Sequence, residues 1–385
     1  MAEVVEAPVK PGEVLAGKYR IERVLGAGGM GVVVEAFHLE LEERVALKFL
    51  LPGAMKPEMI ERFLREARAS VRIKNEHVAR VSDVGRLENG APYMVMEYLT
   101  GLDLSAVLGQ QGALPPAVAI DYVLQACEAV AEAHELGIIH RDLKPANLFL
   151  TQRRDGSNLI KVLDFGIAKA VSEGEANPSL TSTSQAMGSP LYMSPEQMRN
   201  AKAVDARADI WALGVILYQL ISGKTPFDAD TIHALCAAIL TEEPVPLDQR
   251  CPGLPQPLVA AVMRCLAKPA DGRFGSVAEL ATALQPFGGP EAVSSLARIS
   301  TLPGASRRLS SGPPPSPVLV TSTTNATTSP GSASRWAAPA AALLLVLGGL
   351  TYLQFRPAEQ APSAPSEPPA APVASAAAPP AASAA

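Results

Sequence analysis

Apolar positions in the first half of the chain fall into two kinds of pattern. YRIERVL, GVVVEAF and RVALKFL are β-rich runs, with glycines separating the first two, and they read as consecutive antiparallel strands. Pro57 then opens a charged stretch, EMIERFLREARASVRI, in which Phe63, Ala67 and Val71 recur along one helical face. After YMVMEYL the pattern is helical, as in PAVAIDYVLQACEAVAEAHELG, where Pro116 lies near the start and Gly137 supplies a C-cap. The predicted class is α+β: a small β-rich lobe followed by a larger α-rich lobe.

The periodicity stops near residue 288, after which Ser, Thr, Pro, Gly and Ala dominate up to Arg335, the composition of a flexible tether. WAAPAAALLLVLGGLTYLQF, residues 336 to 355, carries no charge between Arg335 and Arg356. One membrane crossing needs ~20 such residues. A buried core helix is the competing reading, but residues 357 to 385 are almost all Ala, Pro and Ser and offer no core to bury it. The expected division is therefore an extension over 1–18, a folded domain over 19–287 (lobes at about 19–96 and 100–287), a linker over 288–335, a transmembrane helix over 336–355 and a disordered tail over 356–385.

Composition narrows the classes. With 385 residues, 48% hydrophobic and 18% charged, the chain can bury two lobes, and a formal charge of −5 gives no nucleic-acid footprint. Cys127, Cys236, Cys251 and Cys265 lack CxxC spacing and read as reduced, inert thiols. MAEVVEAPVKPGE has no apolar core, so no signal peptide is expected and the folded part is expected in the cytoplasm.

Three stretches carry chemistry. GAGGMG, Gly26 to Gly31, lies between two strands, where it suits a hairpin whose backbone N–H groups can approach phosphate oxygens. On the third strand Lys48 alternates with Ala46 and needs a carboxylate partner, for which Glu66 on the following helix is the candidate. HRDLKPANLFL, residues 140 to 150, could be a solvated turn after a helix, but some fourteen residues on comes Asp164-Phe165-Gly166, a carboxylate beside a glycine that fits a metal ligand on a hinge. Phosphoryl transfer from ATP needs a base for the acceptor hydroxyl, metal ligands and cations. Asp142, Asn147 with Asp164, and Lys48 with Lys144 supply that set.

In family order from about residue 19 to residue 285, GAGGMGVV, VALK, HRDLKPAN, DFG, SPE and DIWALGVILYQLISGKTPF resemble the eukaryotic-like (Hanks-type) serine/threonine protein kinases, and in flavour bacterial members with one C-terminal membrane anchor. The resemblance implies that Leu25, Gly26, Ala27, Gly28, Gly29, Met30, Gly31, Val33 and Ala46 enclose ATP, while Lys48, paired with Glu66, holds its phosphates. It implies a hinge at Glu97 to Leu99, with Met96 as gatekeeper and Asp103 at the ribose. Asp142 would orient the acceptor hydroxyl, Lys144 would steady the γ-phosphate, and Asn147 with Asp164 would bind Mg²⁺, with Mn²⁺ as a substitute. Glu196 with Arg273, and Asp209 beneath the catalytic loop, would be architectural. Lys144 favours Ser or Thr acceptors, and Ser189 of GSPLYMSPEQ, which departs from the usual GT, keeps a hydroxyl for Asp142.

Regulation is expected in LTSTSQ, where Thr181 and Thr183 are the favoured autophosphorylation sites and Arg141 the cation for their phosphates. Arg298, Arg307, Arg308 and Arg335 precede the apolar segment and only Arg356 follows it, which orients a single-pass protein with its kinase part in the cytoplasm and its tail outside. The partners implied are protein substrates, the membrane and, for signalling by clustering, a second copy in a homodimer. The rival reading is a pseudokinase acting as a membrane-tethered binding scaffold; such proteins typically lack counterparts of Lys48, Asp142 or Asp164, and all three are present.

Overall fold

The computed structural model describes residues 8–28, 31–51, 55–165, 190–200 and 204–302. The chain divides into two units, Met1–Pro315 and Ser316–Ala385, and every described residue belongs to the first.

The small lobe contains β1 (Val14–Leu15), β2 (Tyr19–Ala27), β3 (Gly31–His38), β4 (Glu43–Leu50), α1 (Pro57–Arg72), β5 (Val81–Arg86) and β6 (Pro92–Glu97). Its strands pair antiparallel in the order β1-β2-β3-β4-β6-β5. Side chains of β4 alternate between two faces, as period two requires. Leu47 and Phe49 join Tyr93 and Val95 in one core, while Leu50 packs with Phe63 and Ala67 of α1 on the other side. Lys48 has the parity of Leu50, so it reaches toward α1. Part of the expected extension belongs to this lobe: Val9 and Leu15 are buried in the first core, covering Tyr19 and Ile21.

The face of α1 differs from the expected one at its last position. Phe63, Glu66, Ala67 and Ser70 are buried, whereas Val71 is 44% exposed. Eight residues at 3.6 per turn overshoot two turns, so a stripe started at Phe63 continues at position 70 and not at 71.

The large lobe follows as β7 (Leu102–Asp103), α2 (Leu104–Gln111), α3 (Pro116–Glu135), β8 (Leu148–Gln152), β9 (Asn158–Val162), α4 (Pro195–Arg199), α5 (Arg207–Ser222), α6 (Ile232–Thr241), α7 (Leu247–Arg250), α8 (Gln256–Cys265), α9 (Val277–Leu284) and α10 (Glu291–Ser300). α3 and α5 are apolar around most of their circumference and form the centre of the core. Pro116 opens α3, and Gly137, at φ +72°, takes the left-handed turn that ends it. β7, β8 and β9 make a small sheet that carries the polar loops of the cleft.

Beyond the expected boundary at residue 287 the chain does not become a tether at once. α10 packs on α3, with Ala292 and Ile299 fully inside the large-lobe core. The apolar run 336–355 and the tail lie outside the described residues. Among the described residues no helix is long and apolar enough to cross a membrane. Cys127 and Cys265 are buried, and burial pushes both thiols up, Cys265 to about 12, which keeps them as inert thiols.

Candidate active site

Lys48 is the electrostatic centre of the cleft between the lobes. Its Nζ donates to Glu66 Oε1 of α1 at 2.8 Å and lies 2.6 Å from Asp164 Oδ1. Burial works against the ammonium charge, but the carboxylates of Asp164 and Glu66 outweigh it and hold the Lys48 pKa above its ordinary value. Lys48 is therefore a permanent cation with one carboxyl neighbour from each lobe, and burial, with Asp164 close by, pushes the Glu66 carboxyl above its ordinary range against the pull of Lys48. Asp164 takes a left-handed backbone, φ +48°, a conformation Asp tolerates better than most residues.

The loop around Asp142 is held from below. Asp209 of α5 accepts from the backbone N–H groups of His140 (2.9 Å) and Arg141 (2.8 Å) and pairs with His134 Nε2 at 2.7 Å. Burial opposes the Asp209 charge, but the hydrogen bond and charge of His134, with His140, hold its carboxyl below the usual range. Arg141 is left-handed at φ +64°, and its carbonyl accepts from Gln197 Nε2 at 2.9 Å. Such strained backbone at a cleft persists only where its surroundings over-determine it. Asp142 N donates to His140 Nδ1 at 3.3 Å, which leaves the ring proton on Nε2 to meet the Leu163 carbonyl at 3.0 Å. Full burial lowers the His140 pKa and keeps the ring neutral.

On this platform Lys144 Nζ donates to Asp142 Oδ2 at 2.9 Å, and Asn147 Nδ2 donates to the Asp142 carbonyl at 2.8 Å. Leu163 N donates to Asn147 O at 2.9 Å, which sets Asn147 beside the residue preceding Asp164. The cleft holds two adjoining cavities of about 540 and 250 Å³, in the range of small-molecule sites. The larger is lined by Lys48, Glu66, Asp142, Lys144 and Asp164, the smaller by Leu25, Ala46, Met96, Glu97 and Leu99. Gly26, Val33 and Asp103 line both, and Ala27, Gly28 and Gly31 line the larger. Gly29 and Met30 lie outside the described residues, as do Thr181, Thr183 and Ser189. Gly31 has a structural reason to be glycine as well: a Cβ there would meet the Phe49 carbonyl of β4 at 2.6 Å.

Residues 19–280 match the family model described as the protein kinase domain. This chain belongs to the protein kinase domain family. It is 40% identical over 264 residues to the serine/threonine-protein kinase pkn3 of Myxococcus xanthus, covering 68% of this chain and 48% of the relative. It is 36% identical over 336 residues to the serine/threonine-protein kinase PknB of Mycobacterium tuberculosis, covering 84% and 52% respectively. The chain thus spans about half the length of these curated relatives. Among solved structures, the PknI kinase domain of Mycobacterium tuberculosis superposes with a TM-score of 0.56 at 30% identity, over 72% of this chain and 99% of that one.

Within this kinase domain the donor set suits a hard divalent cation. The amide nitrogen of Asn147 is turned to the Asp142 carbonyl, which directs its oxygen elsewhere, and Asp164 is 42% exposed. Oxygen donors of this type match Mg²⁺. The architectural pair is bidentate: Arg273 Nη1 and Nη2 donate to Glu196 Oε1 and Oε2 at 2.6 and 2.8 Å. Sequence reading missed several residues at the cleft. Ala146 and Phe149 form its floor and Val81 part of its wall, all ordinary apolar positions whose only signal is adjacency to the motifs. Asp103 has a second task that went unforeseen, accepting from Ala106 N at 3.0 Å as the cap of α2.

Proposed function

We propose that this chain is a protein-serine/threonine kinase that transfers the γ-phosphate of ATP to Ser or Thr hydroxyls of protein substrates. The observation that carries the reading is Lys48 joined at once to Glu66 and Asp164. That arrangement puts a cation, a carboxylate suited to metal and the Asp142 loop around one cavity. Asp142 orients the acceptor hydroxyl and accepts its proton, Lys144 beside it steadies the γ-phosphate, and Asn147 with Asp164 holds Mg²⁺, for which Mn²⁺ can substitute. The glycine hairpin from Leu25 to Gly31 with Val33 and Ala46 encloses the nucleotide, and the backbone of Glu97 to Leu99 meets adenine. Incubation of the full chain with γ-labelled ATP, Mg²⁺ and a generic basic protein should label that protein, and acid hydrolysis should yield phosphoserine or phosphothreonine. Label on tyrosine alone, or no label, would contradict it.

Regulation of this site is proposed through autophosphorylation at Thr181 and Thr183. A basic cavity of about 470 Å³ supports it, where Arg65, Arg68 and Arg72 of α1 stand with Arg141, a setting able to take a phosphate. Mass spectrometry of active protein should find phosphate at one or both positions; phosphate elsewhere only would refute it. Membrane anchoring through residues 336–355, with the kinase part in the cytoplasm and the tail outside, is supported by the uncharged run and by the arginines preceding it, and homodimers are the proposed form of clustering.

A further inference from the structure

α10 is fastened to α3 at both ends. Gly289 N, just before the helix, donates to Asp121 Oδ1 at 2.8 Å. Near its other end Arg298 forks onto Glu128, with Nη2 donating to Oε1 at 3.0 Å and Nε to Oε2. Asp121 and Glu128 are seven residues apart, about two turns on one face of α3. A Cβ at Gly289 would meet the Asp121 carboxylate, which would have to shift and stretch this contact.

Glu128 is buried, its side chain only 2% exposed. Burial pushes its pKa up, but His77, Arg298 and Ser295 together hold it below the ordinary range. Its inner neighbour is His77, whose Nε2 lies 3.4 Å from Oε1. His77 is fully buried in the segment between α1 and β5. Its Nδ1 meets the Ile160 carbonyl at 2.8 Å, and its own carbonyl accepts from Val162 N at 2.7 Å. The imidazole and backbone of His77 thus join the segment leaving α1, which carries Glu66, to β9, the strand that ends two residues before Asp164. Glu132 of α3 holds the same segment through Lys74 N at 2.6 Å and Asn75 Nδ2 at 3.2 Å.

We propose that α10 is a positioning element for the phosphoryl-transfer site, with Arg298 acting through Glu128 and His77 to keep Glu66 and Asp164 on Lys48. The proposal rests on the kinase reading above. Without Arg298 the buried Glu128 carboxylate loses its bidentate partner, and an uncompensated buried charge recruits water or moves its neighbours. Its inner neighbour His77 is the residue that ties α1 to β9.

A plain cover for the apolar face of α3 would need Ala292 and Ile299 but not the Arg298 relay. Full-length wild type, Arg298→Gln and Arg298→Lys, assayed well below each variant's melting temperature, separate the two. Arg298→Gln should lower kcat about tenfold, as a coupling of this kind allows, while KM for ATP shifts less than about twofold. Arg298→Lys, which keeps one charged contact, should recover most of the turnover. Amide hydrogen exchange in Arg298→Gln should speed up at residues 73–80 and 158–163 as well as at 289–302. Normal kcat with faster exchange confined to 289–302 would overturn the proposal. Should Arg298→Gln fail to fold, Asp121→Ala, which removes the acceptor of Gly289 N and loosens the other end of α10, carries the same comparison. If wild-type protein transfers no phosphate, the kinase reading fails, and the exchange pattern still decides whether Arg298 controls the two segments.

Discussion

Lys48 concentrates what the site owes to single residues. Glu66 was legible as its partner because a strand lysine facing a helix needs a carboxylate, and the pair forms at 2.8 Å. Its second pair, to Asp164, was not legible. Reasoning from metal ligation assigns that carboxylate wholly to Mg²⁺, whereas in the protein alone the nearest cation is Lys48. Val71 shows the same limit differently: an apolar residue one position off the stripe is exposed, and the polar Ser70 is buried, with its hydroxyl donating to the Glu66 carbonyl at 3.1 Å. Lys48→Met keeps the volume of the side chain and removes the charge. Phosphate transfer should fall by at least about 100-fold, because the phosphates lose a preorganised cation, in a protein that still folds. Measured turnover near the wild-type value would withdraw the role given to Lys48.

At the scale of elements, what the sequence encodes locally was readable. The strands from Tyr19 to Leu50, the Pro-opened α1 and α3 and the turn at Gly137 follow from periodicity and capping alone. α10 escaped because EAVSSLARIS is short and serine-rich, and its apolar positions, Ala292, Leu296 and Ile299, count only once α3 supplies the opposite surface. Buried or half-buried carboxylates fasten these elements to one another: Asp209 of α5 to the loop around Asp142, the half-buried Glu196 of α4 to Arg273, and Glu128 of α3 to α10. In each, burial raises the pKa but is outweighed, by His134 for Asp209, by Arg273 for Glu196, and by His77 with Arg298 for Glu128, so each folded value lies below the ordinary one. At these three groups the unfolded chain binds more protons, and stability present above the ordinary carboxyl range of ~4 is lost as pH falls through the folded values; Glu66 and Asp121, raised by burial, carry the opposite sign but are outnumbered by the lowered carboxyls. His140, lowered by burial, adds the same sign starting below about 6.5. Calorimetry should find a melting temperature that begins to fall below about pH 6.5 and falls more steeply below about pH 4. A rise between pH 7 and pH 5 would contradict this assignment.

For the whole molecule, the order of motifs along the chain made the two-lobed architecture legible, since a β-rich run followed by a helix-rich one can close a cleft only between them. The ends were harder. Val9 and Leu15 belong to the small lobe because the face of Tyr19 and Ile21 needs cover, a demand invisible in an acidic, proline-containing N-terminus. On the anchoring proposal, full-length protein should sediment with membranes and resist carbonate extraction, while a version ending near Ser334 should be soluble and active; full-length protein released by carbonate would exclude a spanning helix.

The central claim is that Asp142 serves transfer and not nucleotide binding. Its carboxylate accepts from Lys144, the group assigned to the γ-phosphate, and the other groups assigned to the phosphates and metal are Lys48, Asn147 and Asp164. Asp142→Asn should preserve shape and remove the proton acceptor. The decisive measurement pairs two readings on that variant: Mg·ATP affinity by titration calorimetry, and transfer of labelled phosphate to a Ser/Thr substrate under single-turnover conditions. Affinity within about threefold of wild type with transfer reduced by at least about 100-fold is the predicted result. Undiminished transfer in Asp142→Asn, or nucleotide binding with no transfer by the wild-type chain, would contradict it, the latter in favour of a binding scaffold.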